Sequence, residues 1–186
     1  MAAQPARRPF TVREYYRMGK AGILAPDERV ELIDGEIIQT PPIGSPHASC
    51  VRRYTRLFSE ALGRDVEVSI QNPIRLGDRS EPVPDVVLLR PSADAYAAEH
   101  PTAADVLLLI EVSDTTLAYD QRTKLPVYAR EQVPEVWITD LGHQLILAHR
   151  EPTAEGYPVT VTYRRGERIA PLAFPDHEFL VDDILG

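Results

Sequence analysis

A carboxylate stands where the surrounding sequence is otherwise all hydrocarbon. The run Val106-Leu107-Leu108-Leu109-Ile110-Glu111-Val112 reads as a central strand covered on both faces, and Glu111 interrupts it. An ionised carboxylate there needs a metal ion, a lysine or a hydrogen-bonded site at the strand end; alternatively, Glu111 already lies at the exposed end of the strand. A second acid, Asp85, follows Pro84 and opens the apolar run Val86-Val87-Leu88-Leu89, although a plain loop aspartate after proline is also common. The basic group to set beside them is Lys124. Of 20 Lys and Arg residues only Lys20 and Lys124 are lysine. A lysine kept against that bias marks a position where a shiftable, transferable proton is useful, which arginine does not offer. Two carboxylates sharing a hard divalent cation, with a lysine to polarise the attacking water, are the minimum set for metal-assisted phosphodiester hydrolysis.

The elements around these residues must bring them together. At about 100° per residue, a helix over Thr116 to Arg130 puts Lys124 about 20° to one side of Leu117 and Tyr128 about 20° to the other. Lys124 then lies on the core-facing stripe, facing the strand of Glu111; the alternative is a lysine whose amine snorkels to water. Thr11 to Glu14 reads as a capping box opening a short helix that ends near Gly19. Arg29 to Thr40 reads as a hairpin around Asp34-Gly35. Ser45 and Pro46 suit an N-cap and first helical position, followed by Val51, Tyr54, Leu57, Phe58, Ala61 and Leu62 at helical spacing. Strands are expected over Asp65 to Gln71, Val83 to Leu89 and Asp105 to Val112. Glu135 to Thr139 with Gln144 to Ala148 forms a second hairpin, Pro158 to Tyr163 a last strand, and Phe179 to Leu185 a closing helix. Strands and helices alternate, so the class is α/β or α+β: a mixed sheet flanked by helices.

The whole composition narrows the choices. With 186 residues, 44% hydrophobic and 26% charged, the chain suits one domain and excludes a disordered or fibrous protein. The 17 prolines fall between elements and punctuate a single domain over 1–186, with 1–10 expected to form a flexible arm. No apolar run approaches the ~20 residues of a membrane span, and Met1 to Pro5 has no apolar signal core, so a cytoplasmic location is expected. The lone Cys50 excludes an intrachain disulfide and a cysteine-rich zinc site, and suits a packing role. The five histidines show no paired metal spacing, and no phosphate-binding glycine loop or nucleophile elbow occurs. The formal charge is −8, yet Arg7, Arg8, Arg13, Arg17 and Lys20 make a locally basic start, and Arg52, Arg53 and Arg56 a second basic cluster. Each could be a nucleic-acid contact or a solvated helix face.

These residues carry a resemblance. Pro84-Asp85 followed by Glu111-Val112-Ser113 is similar to the PD-(D/E)xK signature of restriction-endonuclease-like nucleases. The chain from about 10 to 185 resembles the Uma-two family within that superfamily. The resemblance rests on Glu31 to Glu36, Pro42 to His47, Gln71 to Ile74, Glu81 to Asp85, Ile110 to Asp114, Tyr119-Asp120, Lys124 to Ala129 and Pro134 to Ile138. It implies a restriction-endonuclease-like core and an endonuclease acting on DNA with Mg²⁺, or Mn²⁺ in its place, as a homodimer. Asp85 and Glu111 would be the metal-binding acids and Glu31 an additional acid. His47 and Gln71 are secondary candidates. The signature lysine, two residues after the glutamate, is here Ser113, so Lys124 takes its place as a lysine migrated to the following helix. Two rival readings remain: a catalytically weak or inactive DNA-associated module that keeps the fold, which the net negative charge favours, and a metal-dependent hydrolase of another phosphoester.

Overall fold

The computed structural model describes residues 7–186. Helix α1 (Val12–Lys20) is opened by the Thr11–Glu14 capping box, with both reciprocal hydrogen bonds made. The hairpin β1 (Val30–Ile33) and β2 (Glu36–Gln39) turns at Asp34-Gly35, where φ is +48° and +79°. A Cβ at Gly35 would collide with Pro9 and with the Phe10 backbone, so the turn and the incoming chain require glycine there. Helix α2 (Ser45–Leu62) is capped by Gly44, with no side-chain cap. The sequence places that cap at Ser45, but Ser45 already lies inside the helix and Pro46 is its second residue, where a missing N–H costs nothing.

Six strands form the main sheet, in the order β3 (Glu67–Ile70), β4 (Val86–Leu89), β5 (Val106–Ser113), β6 (Glu135–Asp140), β7 (Leu145–Arg150) and β8 (Val159–Arg164). Only the β5–β6 pair is parallel, so the segment between them must cross over the sheet. That crossover contains α3 (Leu117–Tyr119), a π-helical turn (Asp120–Lys124) and α4 (Leu125–Arg130). The sequence suggests one continuous helix over 116–130. The wider turn is the correction, and it falls where Lys124 must be aimed inward; π turns recur at functional sites. Strand β4 starts three residues later than expected, because Pro84 gives no N–H to a ladder and leaves Asp85 just ahead of the strand. The closing helix α5 (Val181–Leu185) is preceded by a short pair, β9 (Arg168–Ile169) with β10 (Phe179–Leu180). Of the two basic clusters, Arg53 of α2 donates to the Leu185 carbonyl, and Arg8, ahead of α1, donates to Glu14.

The strands alternate between two cores. Tyr54 and Phe58 of α2 pack with Val86, Leu88, Leu108, Ile110, Val112 and Trp137 on one face. Val87, Leu89, Leu109 and Ile138 face the other way, against Val127 and Tyr128 of α4 and Ile33 of β1. Glu111 shares the parity of Leu109, so it projects to the α4 side, and its strand is buried on both faces as the apolar run implies. No helix of the described residues is long and apolar enough to cross a membrane.

Candidate active site

Glu111 is not at an exposed strand end. It is 3% exposed and its Oε1 accepts two hydrogen bonds, from Lys124 Nζ at 3.1 Å and from the Tyr128 hydroxyl at 2.5 Å. Lys124 is 5% exposed, and its amine also reaches Oε2 of Glu31 at 3.2 Å. Glu31, on β1, is 1% exposed; it further accepts the Val83 N–H at 3.1 Å and the Tyr119 hydroxyl at 3.3 Å. One ammonium therefore bridges two buried carboxylates that are 80 residues apart in the chain. The snorkelling alternative for Lys124 is excluded.

Asp85 adjoins this group through the backbone of β5. Its Oδ2 accepts the Val112 N–H at 2.9 Å and lies 3.0 Å from His47 Nε2, at the start of α2. Its Oδ1 accepts from Gln71 Nε2 at 3.2 Å. Gln71, in left-handed backbone at φ +50°, ends β3 and turns the chain beside Asp85. All six residues singled out in the sequence (Glu31, His47, Gln71, Asp85, Glu111 and Lys124) line one cavity of about 590 Å³.

The electrostatics separate the two central acids. Burial pushes the Glu111 carboxyl well above its ordinary value; Lys124 opposes this, while Asp120, Asp85 and Glu31 add to it. Asp85 is also buried, which alone would raise it, but the hydrogen bond and charge of His47, with the bonds from Val112 and Gln71, hold it below its ordinary value. Burial works against a charged Lys124, yet Glu111, Glu31, Asp120 and Asp85 together outweigh it and hold the amine protonated. Two acids whose environments drive them apart are the usual mark of differentiated chemical roles.

Sequence reasoning left Tyr128 and Asp120 out of the site. Tyr128 stands on the same stripe as Lys124, but helical spacing does not say what its hydroxyl meets. Asp120 anchors the π turn by accepting from Ser113 Oγ at 2.8 Å and Thr116 Oγ1 at 2.7 Å. Tyr128→Phe keeps the packing and removes the donor to Glu111. It should cost roughly 1.5–3 kcal/mol, the range for hydrogen bonds to charged groups. The check is a lower urea midpoint at unchanged m-value; an unmoved midpoint would mean the hydroxyl contributes nothing net.

No curated protein matches the chain. Among solved structures it is similar to one described as a "putative nuclease belonging to DUF820" from Anabaena variabilis. The TM-score is 0.74 at 16% sequence identity, over 95% of this chain and 98% of that one. At that identity the likeness speaks for the fold alone: a mixed sheet flanked by helices. The sequence profile of the Uma2 family, described as "Putative restriction endonuclease", matches residues 12–182. Covering nearly the whole chain, that match makes this protein a member of the Uma2 family.

Proposed function

We propose that this protein hydrolyses phosphodiester bonds in DNA as a divalent-cation-dependent endonuclease, with Asp85 and Glu111 as metal ligands, Lys124 as the water- and phosphate-orienting group, and Glu31 assisting. The observation that carries the reading is the buried amine of Lys124 bridging Glu31 and Glu111 beside Asp85, on the floor of one cavity.

The donor set fits Mg²⁺, or Mn²⁺ in its place. Four buried or nearly buried carboxylates, Glu31, Asp85, Glu111 and Asp120, face the single amine of Lys124 and the ring of His47, which leaves an excess of negative charge made of hard oxygen donors. Among the described residues no three His, Cys, Asp or Glu side chains form a metal cage. An ion held here by Asp85 and Glu111 would therefore have to take its other positions from water and substrate phosphate, as Mg²⁺ can. When bound, such an ion lowers the pKa of a coordinated water and neutralises charge building on the phosphate. The side chains divide the remaining work. His47, Gln71 and the Val112 N–H fix both oxygens of Asp85 and keep it ionised. Tyr128 fixes Glu111. Lys124, held protonated, offers a positive donor to water or to a phosphate oxygen and has no free pair with which to act as a base.

One observation favours a second reading, a fold kept for binding without efficient turnover: both oxygens of Asp85 already accept hydrogen bonds from protein donors. Two measurements decide between them. Purified protein should nick supercoiled plasmid in Mg²⁺ or Mn²⁺ and not in EDTA. The same ions should raise the melting temperature. At about ten times Kd, mass action gives about 1.4 kcal/mol, or roughly 3–6 °C for a domain of this size. Absence of both effects would leave the binding module as the better reading.

A further inference from the structure

The cavity that holds the acids is small. A volume of about 590 Å³ corresponds to a space roughly 10 Å across, within the range of pockets that enclose one small ligand. A duplex, whose two backbones flank a major groove already ~12 Å wide, can reach the floor of such a space only with part of one strand. One wall is the segment after β2, where Pro41 and Pro42 stiffen the chain and Ile43 stands 37% exposed. The opposite wall runs from Asp114 through Ala118 to Tyr119. The walls come near each other at one end, where a side chain on Gly44 would meet Asp114: its Cβ would lie 3.3 Å from Oδ2. Glu31, Glu111 and Lys124, all at least 95% buried, lie at the floor.

The charge of the lining tells the same story. Its cations are Arg29 and Lys124, and the amine of Lys124 is engaged by Glu31 and Glu111. Asp114 adds another negative charge to the wall. Duplexes and single strands alike draw affinity from Lys and Arg contacts to phosphates, which this lining scarcely supplies, so the base must carry much of the recognition. This lining offers apolar proline and isoleucine surface and one aromatic ring, Tyr119, which suits a single base beside its phosphate; stacking on aromatic rings is one way unpaired strands are held.

Building on the nuclease reading, we infer that the substrate strand enters this site unpaired, as a single strand or as a nucleotide turned out of a helix, with its base against the Pro41–Ile43 lip and Tyr119. A paired strand has its bases committed to the stack and cannot place one against this lip without first unpairing it.

The test uses the full chain, Mg²⁺ and one end-labelled oligodeoxynucleotide in three forms: single strand, perfect hairpin duplex, and the same duplex with an unpaired bulge. The single strand and the bulge should be cut roughly tenfold or more faster than the perfect duplex. Ile43→Asp, which places a charge on the lip away from the acids, should erase most of that advantage, while Ile43→Leu keeps it, with both variants confirmed folded by circular dichroism. A perfect duplex cut as fast as the single strand overturns the inference and leaves the nuclease reading standing. An advantage for the single strand that Ile43→Asp does not touch overturns the placement of the base on the lip. No cutting of any form, in Mg²⁺ or Mn²⁺, takes down the nuclease reading and this inference with it.

Discussion

Lys124→Met should destabilise this protein strongly, by roughly 3–5 kcal/mol in the absence of divalent metal. At about 2–4 °C per kcal/mol for a domain of this size, the melting temperature should fall by roughly 6–20 °C. Methionine matches the length and volume of the lysine stem, so packing is largely kept and the loss is electrostatic. Without the amine, Glu31 and Glu111 face each other and Asp85 and Asp120 with no ammonium between them. The loss should also depend on pH in a defined direction. Burial already holds the Glu111 carboxyl above its unfolded value in the parent, and Lys124 is the group that opposes this. Removing Lys124 raises Glu111 further. A carboxyl raised in the folded state binds more protons folded than unfolded, so stability is retained below the unfolded value near 4.5 and lost as pH climbs toward the folded one. The melting difference between Lys124→Met and parent should therefore be smaller at pH 5 than at pH 8. A melting temperature within a degree or two of the parent at both pH values would show that the amine is not the counter-ion of this cluster.

The bridging role of that amine shows how far the sequence could be read. Glu111 was legible because burial is: an acid inside a run of branched aliphatics must be paid for by something nearby, and the period-2 alternation of β5 assigns it to the face of α4. Lys124 was legible from helical spacing, even though the π turn at Asp120–Lys124 departs from the spacing used. Its direction survived because Leu117 and Tyr128, on either side of the turn, both pack on that face. Glu31, His47 and Gln71 are different. Nothing in a hairpin glutamate, a helix-start histidine or a strand-end glutamine fixes where its side chain goes. Only the resemblance to other family members placed them near the acids, because their approach depends on how the β1–β2 hairpin and α2 pack against the sheet. The hydroxyl of Tyr128 and the bonds of Asp120 to Ser113 and Thr116 were out of reach for the same reason: they depend on side-chain rotamers at tertiary contacts. The Gly44 cap was missed on narrower grounds. Serine followed by proline is a good helix opening, and a glycine one residue earlier opens it only a few tenths of a kcal/mol less well.

Glu111→Gln separates the site's chemistry from its architecture, and it is expected to lower the rate of metal-dependent DNA cleavage by about 10³-fold or more. The amide matches the carboxylate in shape, and its oxygen can still accept from Lys124 and Tyr128, so the contacts of Oε1 survive. What disappears is one negative charge from a group of four buried or nearly buried carboxylates that a single amine serves. Without metal, that removal relieves repulsion and burial cost, so the variant should melt at the parent's temperature or above it. With metal the order reverses: Mg²⁺ or Mn²⁺ should raise the melting temperature of the parent and leave Glu111→Gln nearly unmoved. A merely structural Glu111 predicts the opposite pattern, a lower melting temperature without metal and an unchanged response to the ion. Retained cleavage in Glu111→Gln would remove Glu111 from the chemistry altogether. Lost cleavage with an intact metal response would move the ion's seat toward Asp85 and leave Glu111 as the residue that positions Lys124.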